Sequence, residues 1–257
     1  MNEHYIDLAH RLASTASDIT LQYFRKDGLQ VDSKADSSPV TKADRQAESA
    51  MRALIRERFP DHGIFGEEHG THNGDAEYMW ILDPIDGTRA FIDGRDTFTT
   101  LIALCHHNVP VLGLIDQPVR KERWLGIKDA PTLLNGQPVN ARSKPLEEAV
   151  IATTGTQYFS KDENAHYQRV AQACAQEING QDAYAYAQLA SGRIDLVIEA
   201  NLKPYDFCAL VPVLEGAGAI VTDWHDQSVN LLSDGTMLVA GDKTLHNTAF
   251  ALLHTVA

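Results

Sequence analysis

Between Tyr5 and Tyr23 apolar side chains recur at three- and four-residue steps, at Tyr5, Leu8, Leu12, Ala16, Ile19 and Tyr23. One face of a helix is therefore apolar, and the spacing predicts an amphipathic helix at the start of the chain. The polar stretch from Lys26 to Thr41 breaks the period, and Asp36-Ser37-Ser38-Pro39 within it reads as a loop, because proline lacks a donor and restricts its predecessor. A second helical period runs from about Ala43 to Phe59, with Ala47, Met51, Leu54 and Ile55 inward, and Pro60-Asp61-His62-Gly63 stops it. Short apolar runs follow at Tyr78 to Leu82, Thr99 to Cys105, Val109 to Ile115 and Glu122 to Ile127. These predict strands, with His107-Asn108 and Asn135-Gly136 as tight turns.

The last third alternates. A strand is expected at Val150 to Thr153, helices at Glu163 to Glu177 and Ala183 to Ser191, the latter closed by Gly192, and a strand at Asp195 to Glu199. A helix from Phe207 to Glu215, strands near Ile220 and Leu238, and a helix from Thr244 to about Leu253 complete the pattern. Helices at both ends around a meander of adjacent strands predict an α+β layered sandwich rather than a simple βαβ winding. No internal repeat, linker or low-complexity tract interrupts it.

With 257 residues and 44% hydrophobic content the chain can bury a large core, in one domain or two closely packed halves. The formal net charge of -13 excludes a surface that coats nucleic acid, which needs clustered Lys and Arg. An acidic enzyme with an anionic substrate would need bound divalent cations to offset the repulsion. Cys105, Cys174 and Cys208 sit in no CxxC spacing and are expected to be buried thiols in a reducing cytosol. The opening residues, with Glu3 and Asp7, lack a signal-peptide pattern, and no run reaches membrane-spanning length, so a cytoplasmic protein is expected. The histidines show no HxxxH or HExxH spacing, and zinc is not expected.

The chemistry concentrates in Trp80-Ile81-Leu82-Asp83-Pro84-Ile85-Asp86-Gly87-Thr88, where an apolar strand ends in two carboxylates. Asp83 and Asp86 can converge on one hard cation or bridge two, with the Ile85 carbonyl between them as a further oxygen ligand. Gly87 lets the backbone approach a phosphate closely. An isolated pair of this kind is more often a turn or a helix cap. Two other acidic groups shift the balance: Gly66-Glu67-Glu68-His69-Gly70, and Pro204-Tyr205-Asp206 at a helix start.

Together with Ser38-Pro39-Val40-Thr41-Lys42-Ala43-Asp44 and Glu215-Gly216-Ala217-Gly218, these segments resemble the signature of the inositol monophosphatase-like superfamily, over nearly the whole chain. The resemblance implies a five-layer αβαβα sandwich, a single catalytic domain over 1–257 with two halves meeting near 140–150, and a homodimer. It implies two or three Mg²⁺ per active site. Glu67, Asp83 and the Ile85 carbonyl would hold one, Asp83, Asp86 and Asp206 a second, and Glu67 would touch a weaker third. Thr88 would pair with Asp44 and, with Glu67, orient a water for in-line attack without a phosphoenzyme, while the Gly87 and Thr88 amides hold the phosphate.

Gly87-Thr88-Arg89-Ala90-Phe91-Ile92, Ile115-Asp116-Gln117-Pro118, Asp182-Ala183-Tyr184-Ala185-Tyr186-Ala187 and Lys203-Pro204-Tyr205-Asp206 look most like the histidinol-phosphatase branch. That implies L-histidinol phosphate as substrate, in histidine biosynthesis. A histidinol head is cationic, which makes Asp182 and Glu199 candidates to receive it, with the Gly180 and Gln181 backbone nearby. A strand end at Glu199 and a helix cap at Asp182 are the plain alternatives. Gln181 stands where the branch often has a second glycine, and Thr154-Gly155-Thr156-Gln157 departs from its usual Ser-Pro loop. The alternatives are a phosphatase for inositol monophosphate or 3′-phosphoadenosine 5′-phosphate, or a catalytically silent binding protein of the same fold. No nucleic-acid or membrane partner is expected.

Overall fold

The computed structural model describes residues 2–26, 31–33 and 39–255. In chain order the elements are α1 (Glu3–Tyr23), β1 (Val31–Ser33), β2 (Pro39–Thr41), α2 (Lys42–Arg58), β3 (Gly63–Gly66), β4 (Gly70–His72), β5 (Tyr78–Asp86), α3 (Thr88–Ile92), β6 (Thr99–His106), β7 (Val109–Gln117) and β8 (Glu122–Ile127). There follow β9 (Leu133–Leu134), β10 (Gln137–Pro138), β11 (Val150–Thr153), α4 (Lys161–Ala171), β12 (Gln176–Asn179), α5 (Ala183–Ala190), β13 (Leu196–Glu199), α6 (Pro204–Phe207), α7 (Leu210–Gly216), β14 (Ile220–Thr222), β15 (Met237–Ala240) and α8 (Lys243–Leu253).

An eight-stranded sheet runs β10-β9-β8-β7-β6-β5-β3-β4, and a five-stranded sheet runs β12-β11-β13-β15-β14. On one face of the larger sheet, Leu8, Leu12 and Ala16 of α1 and Ala47, Met51 and Ile55 of α2 bury Trp80, Leu82, Ile102 and Leu114. On its other face Ile81, Leu101, Ala103 and Trp124 meet α5 and α7, which also cover Ala152, Val197 and Val239 of the smaller sheet. The outer face of that sheet, with Ile151, Leu196 and Leu238, is closed by Tyr167 and Val170 of α4 and Leu245 and Ala249 of α8. The result is the five-layer αβαβα sandwich. Burying both faces of each sheet explains why their central strands read as continuous apolar runs.

The middle helical layer sits unusually close to the large sheet. Gly113 of β7 and Gly126 of β8 are cross-strand partners. A Cβ on Gly113 would collide with the Ala209 carbonyl, and one on Gly126 with the backbone of Pro212 and Val213. Two facing glycines thus form a trough for the backbone that runs from α6 into α7.

Several elements depart from the periodicity. The helix expected from Glu163 to Glu177 starts earlier, because Ser160 and Glu163 form a capping box, and stops at Ala171. Its second part instead becomes β12, since Ala175 N and Gln176 N donate to Ala149 O and draw the chain alongside β11. Sheet pairing here overrides the helix propensity of an alanine-rich run. The single helix expected from Phe207 to Glu215 is divided into α6 and α7. Pro212 cannot sit in a helix interior, so α7 begins at Leu210 and holds it in the first turn, where no N–H is required. The loop expected from Lys26 to Thr41 contains an antiparallel ribbon of β1 and β2, and Asp36, Ser37 and Ser38 lie outside the described residues. Cys105 and Cys208 are buried free thiols, whereas Cys174 is only half-buried. Among the described residues no helix is long and apolar enough to cross a membrane.

Gly126→Ala is expected to lower stability by about 2 kcal/mol, the usual cost of overpacking where backbone must move. A urea unfolding midpoint matching the parent protein would refute the trough.

Candidate active site

Side chains alternate along a strand, so residues three apart point to opposite faces unless the strand is interrupted. β5 is interrupted. Its ladder with β6 pairs Asp83 with Leu101 and then Asp86 with Thr99, leaving one extra residue on β5. Pro84, which has no donor to lose, falls within this bulge, and its carbonyl accepts from Thr100 Oγ1 at 2.7 Å. The bulge brings both carboxylates to one side. Oxygen atoms of Asp83, Asp86 and Asp206 lie within 4.8 Å of one another.

Each is held by backbone. Asp83 Oδ1 accepts from Ile85 N at 3.0 Å, Asp86 Oδ2 from Ala183 N at 2.7 Å, and Asp206 Oδ2 from Lys203 N at 2.7 Å. The Asp86 bond ties the large sheet to the first turn of α5. Gly87 follows with φ 80°, and a Cβ there would stand 3.0 Å from Asp182 Oδ2. Glycine is thus required both by its backbone angle and by the closeness of a carboxylate.

Glu67 arrives from β3, which runs parallel to β5, and its N–H donates to Leu82 O at 3.2 Å. This sets Glu67 beside Asp83, close enough for its carboxyl group to raise the pKa of Asp83. Asp44 completes the capping box of α2 behind its N-cap Thr41, its Oδ2 accepting from Thr41 N at 2.8 Å and Thr41 Oγ1 at 2.5 Å, while Oδ1 is buried without a partner. Thr88 does not bond to Asp44 as the resemblance implied. Its hydroxyl donates to Ile85 O at 3.1 Å, because a threonine in a first helical turn readily reaches the carbonyl three residues back. That carbonyl keeps a second lone pair.

On the far side, Glu199 ends β13 with 1% exposure and accepts from Thr154 N and, at 3.3 Å, from Thr153 Oγ1. Asp182 occupies the N-cap position of α5 but makes no capping bond with its side chain. The Asp86 carboxylate serves that helix end instead. Asp182 also adopts φ 47° and ψ -141°, a region normally left to glycine, at a typical cost of about 1–3 kcal/mol. Gly180 O accepts from Arg95 Nη1 at 3.3 Å, and Gln181 O from Tyr184 N at 3.0 Å.

The electrostatics are those of crowded anions. Burial, then the charges of Glu67, Asp86 and Asp206, pushes Asp83 well above the usual carboxylate range. Asp86 is raised likewise by burial and by Asp182 and Asp206. Burial lifts Asp206 to about 7, against its bond from Lys203, and Asp44 to about 6 against its bonds from Thr41. Glu199 rises to about 8 for the same reason. Asp182 is raised by burial while the charges of Arg95 and Arg89 oppose the shift. An all-oxygen donor set at this charge density suits a hard divalent cation such as Mg²⁺. A cavity of about 500 Å³ elsewhere, lined by His10, Ser17, Asp116 and Arg123, holds none of these residues, and Arg123 already pairs with Asp116 there at 2.6 Å.

Two supporting features escaped the sequence. Glu48, fully buried, pairs with Arg52 at 2.7 Å and accepts from Glu68 N at 2.7 Å and His69 N at 3.2 Å, so it holds the turn that carries Glu67. Asp44, Glu48 and Arg52 at four-residue steps were the available signal, a charged line beside an apolar stripe. Tyr186 has a buried hydroxyl without a partner, in the field of Glu199, Asp86 and Asp206. Nothing in an alanine-rich helix marks it.

The whole chain, residues 1–257, matches the model of the inositol monophosphatase family. It is 44% identical over 261 residues to the bifunctional phosphatase IMPL2, chloroplastic, of Arabidopsis thaliana, covering 98% of this chain and 75% of that protein. It is 33% identical over 250 residues to a histidinol-phosphatase of Chlorobaculum parvum, with 96% of each covered. A solved structure of an inositol monophosphatase from Zymomonas mobilis superposes with a TM-score of 0.90 at 48% identity, over 98% of each chain.

Carboxylates raised in the folded state favour folding while protonated, and that contribution is lost as pH climbs from the unfolded value near 4 through the folded one. In chelator the melting temperature is therefore expected to fall between about pH 5 and pH 8, and Mg²⁺ should offset the fall. Thermal melts that stay flat or rise over that window in chelator would contradict the clustering.

Proposed function

Because the chain belongs to the inositol monophosphatase family and is a phosphatase, a phosphoric monoester hydrolase, we propose that it hydrolyses L-histidinol phosphate to L-histidinol with Mg²⁺. The observation that carries the metal-dependent part is the convergence of Asp83, Asp86 and Asp206 beside Glu67. In this reading Glu67, Asp83 and the Ile85 carbonyl would hold one Mg²⁺ and Asp83, Asp86 and Asp206 another, and Glu67 would also touch a third. Bound Mg²⁺ would supply Lewis-acid stabilisation of phosphoryl charge and a more acidic water.

The remaining work falls to the chain. Glu67 and Thr88 orient the attacking water, with Asp44 behind them in the field of Glu67. The N–H groups of Gly87 and Thr88 would receive the phosphoryl oxygens at the turn that the positive φ of Gly87 forms. Water adds to phosphorus opposite the leaving oxygen, and the products are the alcohol and inorganic phosphate.

Asp182 and Glu199 support the cationic substrate, with Gly180 and Gln181 shaping the loop before them. Asp182 lies beside Asp86 and Glu199 beside Asp182, and the side chain of Asp182 is free of the capping task that would otherwise explain it. The likeness to the Chlorobaculum histidinol-phosphatase points the same way. A second reading, inositol monophosphate as substrate, is favoured by the Zymomonas structure at 48% identity. A cytoplasmic homodimer is part of the proposal, and sedimentation would test the association.

Asp83→Asn is expected to lower turnover at least about a thousandfold while the far-ultraviolet spectrum is kept; near-parental activity in Mg²⁺ would remove the cage from the mechanism. A substrate panel with chelator controls separates the esters, and faster hydrolysis of inositol monophosphate than of histidinol phosphate would overturn the substrate. Asp182→Asn should raise KM for histidinol phosphate about tenfold and leave KM for an aryl phosphate without a cationic group unaffected. Equal effects on both esters would refute a contact with the amine.

A further inference from the structure

A second constellation lies at the opposite end of β5. Glu77 precedes Tyr78, the first residue of that strand, and Tyr78 pairs with His106, the last residue of β6. The chain then turns through His107 and Asn108, both left-handed with φ 48° and 66°, and His107 N donates to Glu77 O at 3.0 Å. Backbone alone therefore sets three side chains together. Glu77 Oε1 is 2.8 Å from His106 Nε2 and 3.9 Å from His107 Nε2, and one ligand atom from each residue lies within 4.8 Å of the others.

Two features go beyond a surface ion pair. The His106 ring is fixed by stacking on Tyr78 at 4.5 Å, which continues through His62 at 5.1 Å and Phe59 at 4.6 Å, so His106 loses little further freedom on binding a ligand. At the turn, His107 holds a positive φ where glycine or asparagine is usual, a local cost that places its ring 4.3 Å from that of His106.

We propose that Glu77, His106 and His107 form a surface site for one zinc-class divalent cation, with water completing the coordination. Two borderline imidazoles with one carboxylate suit Zn²⁺ and its first-row neighbours and leave Mg²⁺, which prefers oxygen alone, to the acidic cage. Histidine spacing could not reveal this site, because the third ligand lies 29 residues away, just before the neighbouring strand β5. The ion would tie the β6–β7 turn to the start of β5. The proposal is independent of the substrate and of the phosphatase mechanism.

The test is Zn²⁺ titration calorimetry on the metal-stripped full chain with Mg²⁺ in large excess, comparing the parent with His107→Asn and Glu77→Gln. Asparagine tolerates the left-handed turn, and glutamine preserves the shape of Glu77. Matching melting temperatures without zinc establish that each variant is folded. The expected result is one Zn²⁺ fewer per chain, or at least tenfold weaker binding at that site, in either folded variant, together with loss of a zinc-dependent rise in melting temperature. Equal zinc uptake and affinity in the parent and a folded variant would overturn the site and leave Glu77 and His106 as a surface ion pair.

Discussion

Like charges buried together are the constraint around which this molecule is arranged. Asp83, Asp86 and Asp206 place oxygen atoms within 4.8 Å of one another, and Glu67 adds a fourth carboxyl beside Asp83. Among the described residues no arginine or lysine forms an ion pair with Asp83 or Asp86, and Lys203 is the compensating charge felt by Asp206. Such a cluster can stay in a poorly hydrated place only if protons neutralise part of it or cations offset its charge. Everything nearby supplies either a backbone donor or a rigid attachment.

Those attachments come from both sheets, which is why the layers are as they are. Asp83 and Asp86 ride on the large sheet, Asp206 on the short helix α6, and Asp182 and Glu199 on α5 and β13 at the smaller sheet. The bond from Ala183 N to Asp86 fastens the first group to α5. The paired glycines at 113 and 126 let the α6–α7 backbone settle directly on the large sheet, and with it Asp206. Packing far from the carboxylates thereby sets their separation.

Strain gathers at the same place. Asp182 holds a glycine-like backbone angle, and Gly87 leaves only 3.0 Å between a would-be Cβ and its carboxylate. Strain of that kind persists when the surroundings over-determine it. Here Arg95 grips Gly180 from one side and α5 begins on the other, so the loop before α5 presents Asp182 toward the cage instead of capping its own helix.

The sequence by itself determined most of the periodic elements, the layered class and which segments carry clustered carboxylates, because helical and strand periods and acidic pairs are local properties. Val150 to Thr153 and Glu122 to Ile127 stand where their residues indicate, and Asp83-Pro84-Ile85-Asp86 points to a cation site once the acidic segments at Glu67 and Asp206 are read with it. Tertiary structure alone decided whether those donors meet. Capture of residues 176–179 by the Ala149 carbonyl, the one-residue bulge that turns Asp83 and Asp86 to one side, and Glu48 beneath the Glu67 turn all depend on partners distant in the chain. Thr88 makes the same point in reverse, since its hydroxyl found a carbonyl three residues away before any remote carboxylate. Local patterning fixes what each segment can offer; the contacts that select among those offers have energies set by neighbours that no window of sequence contains.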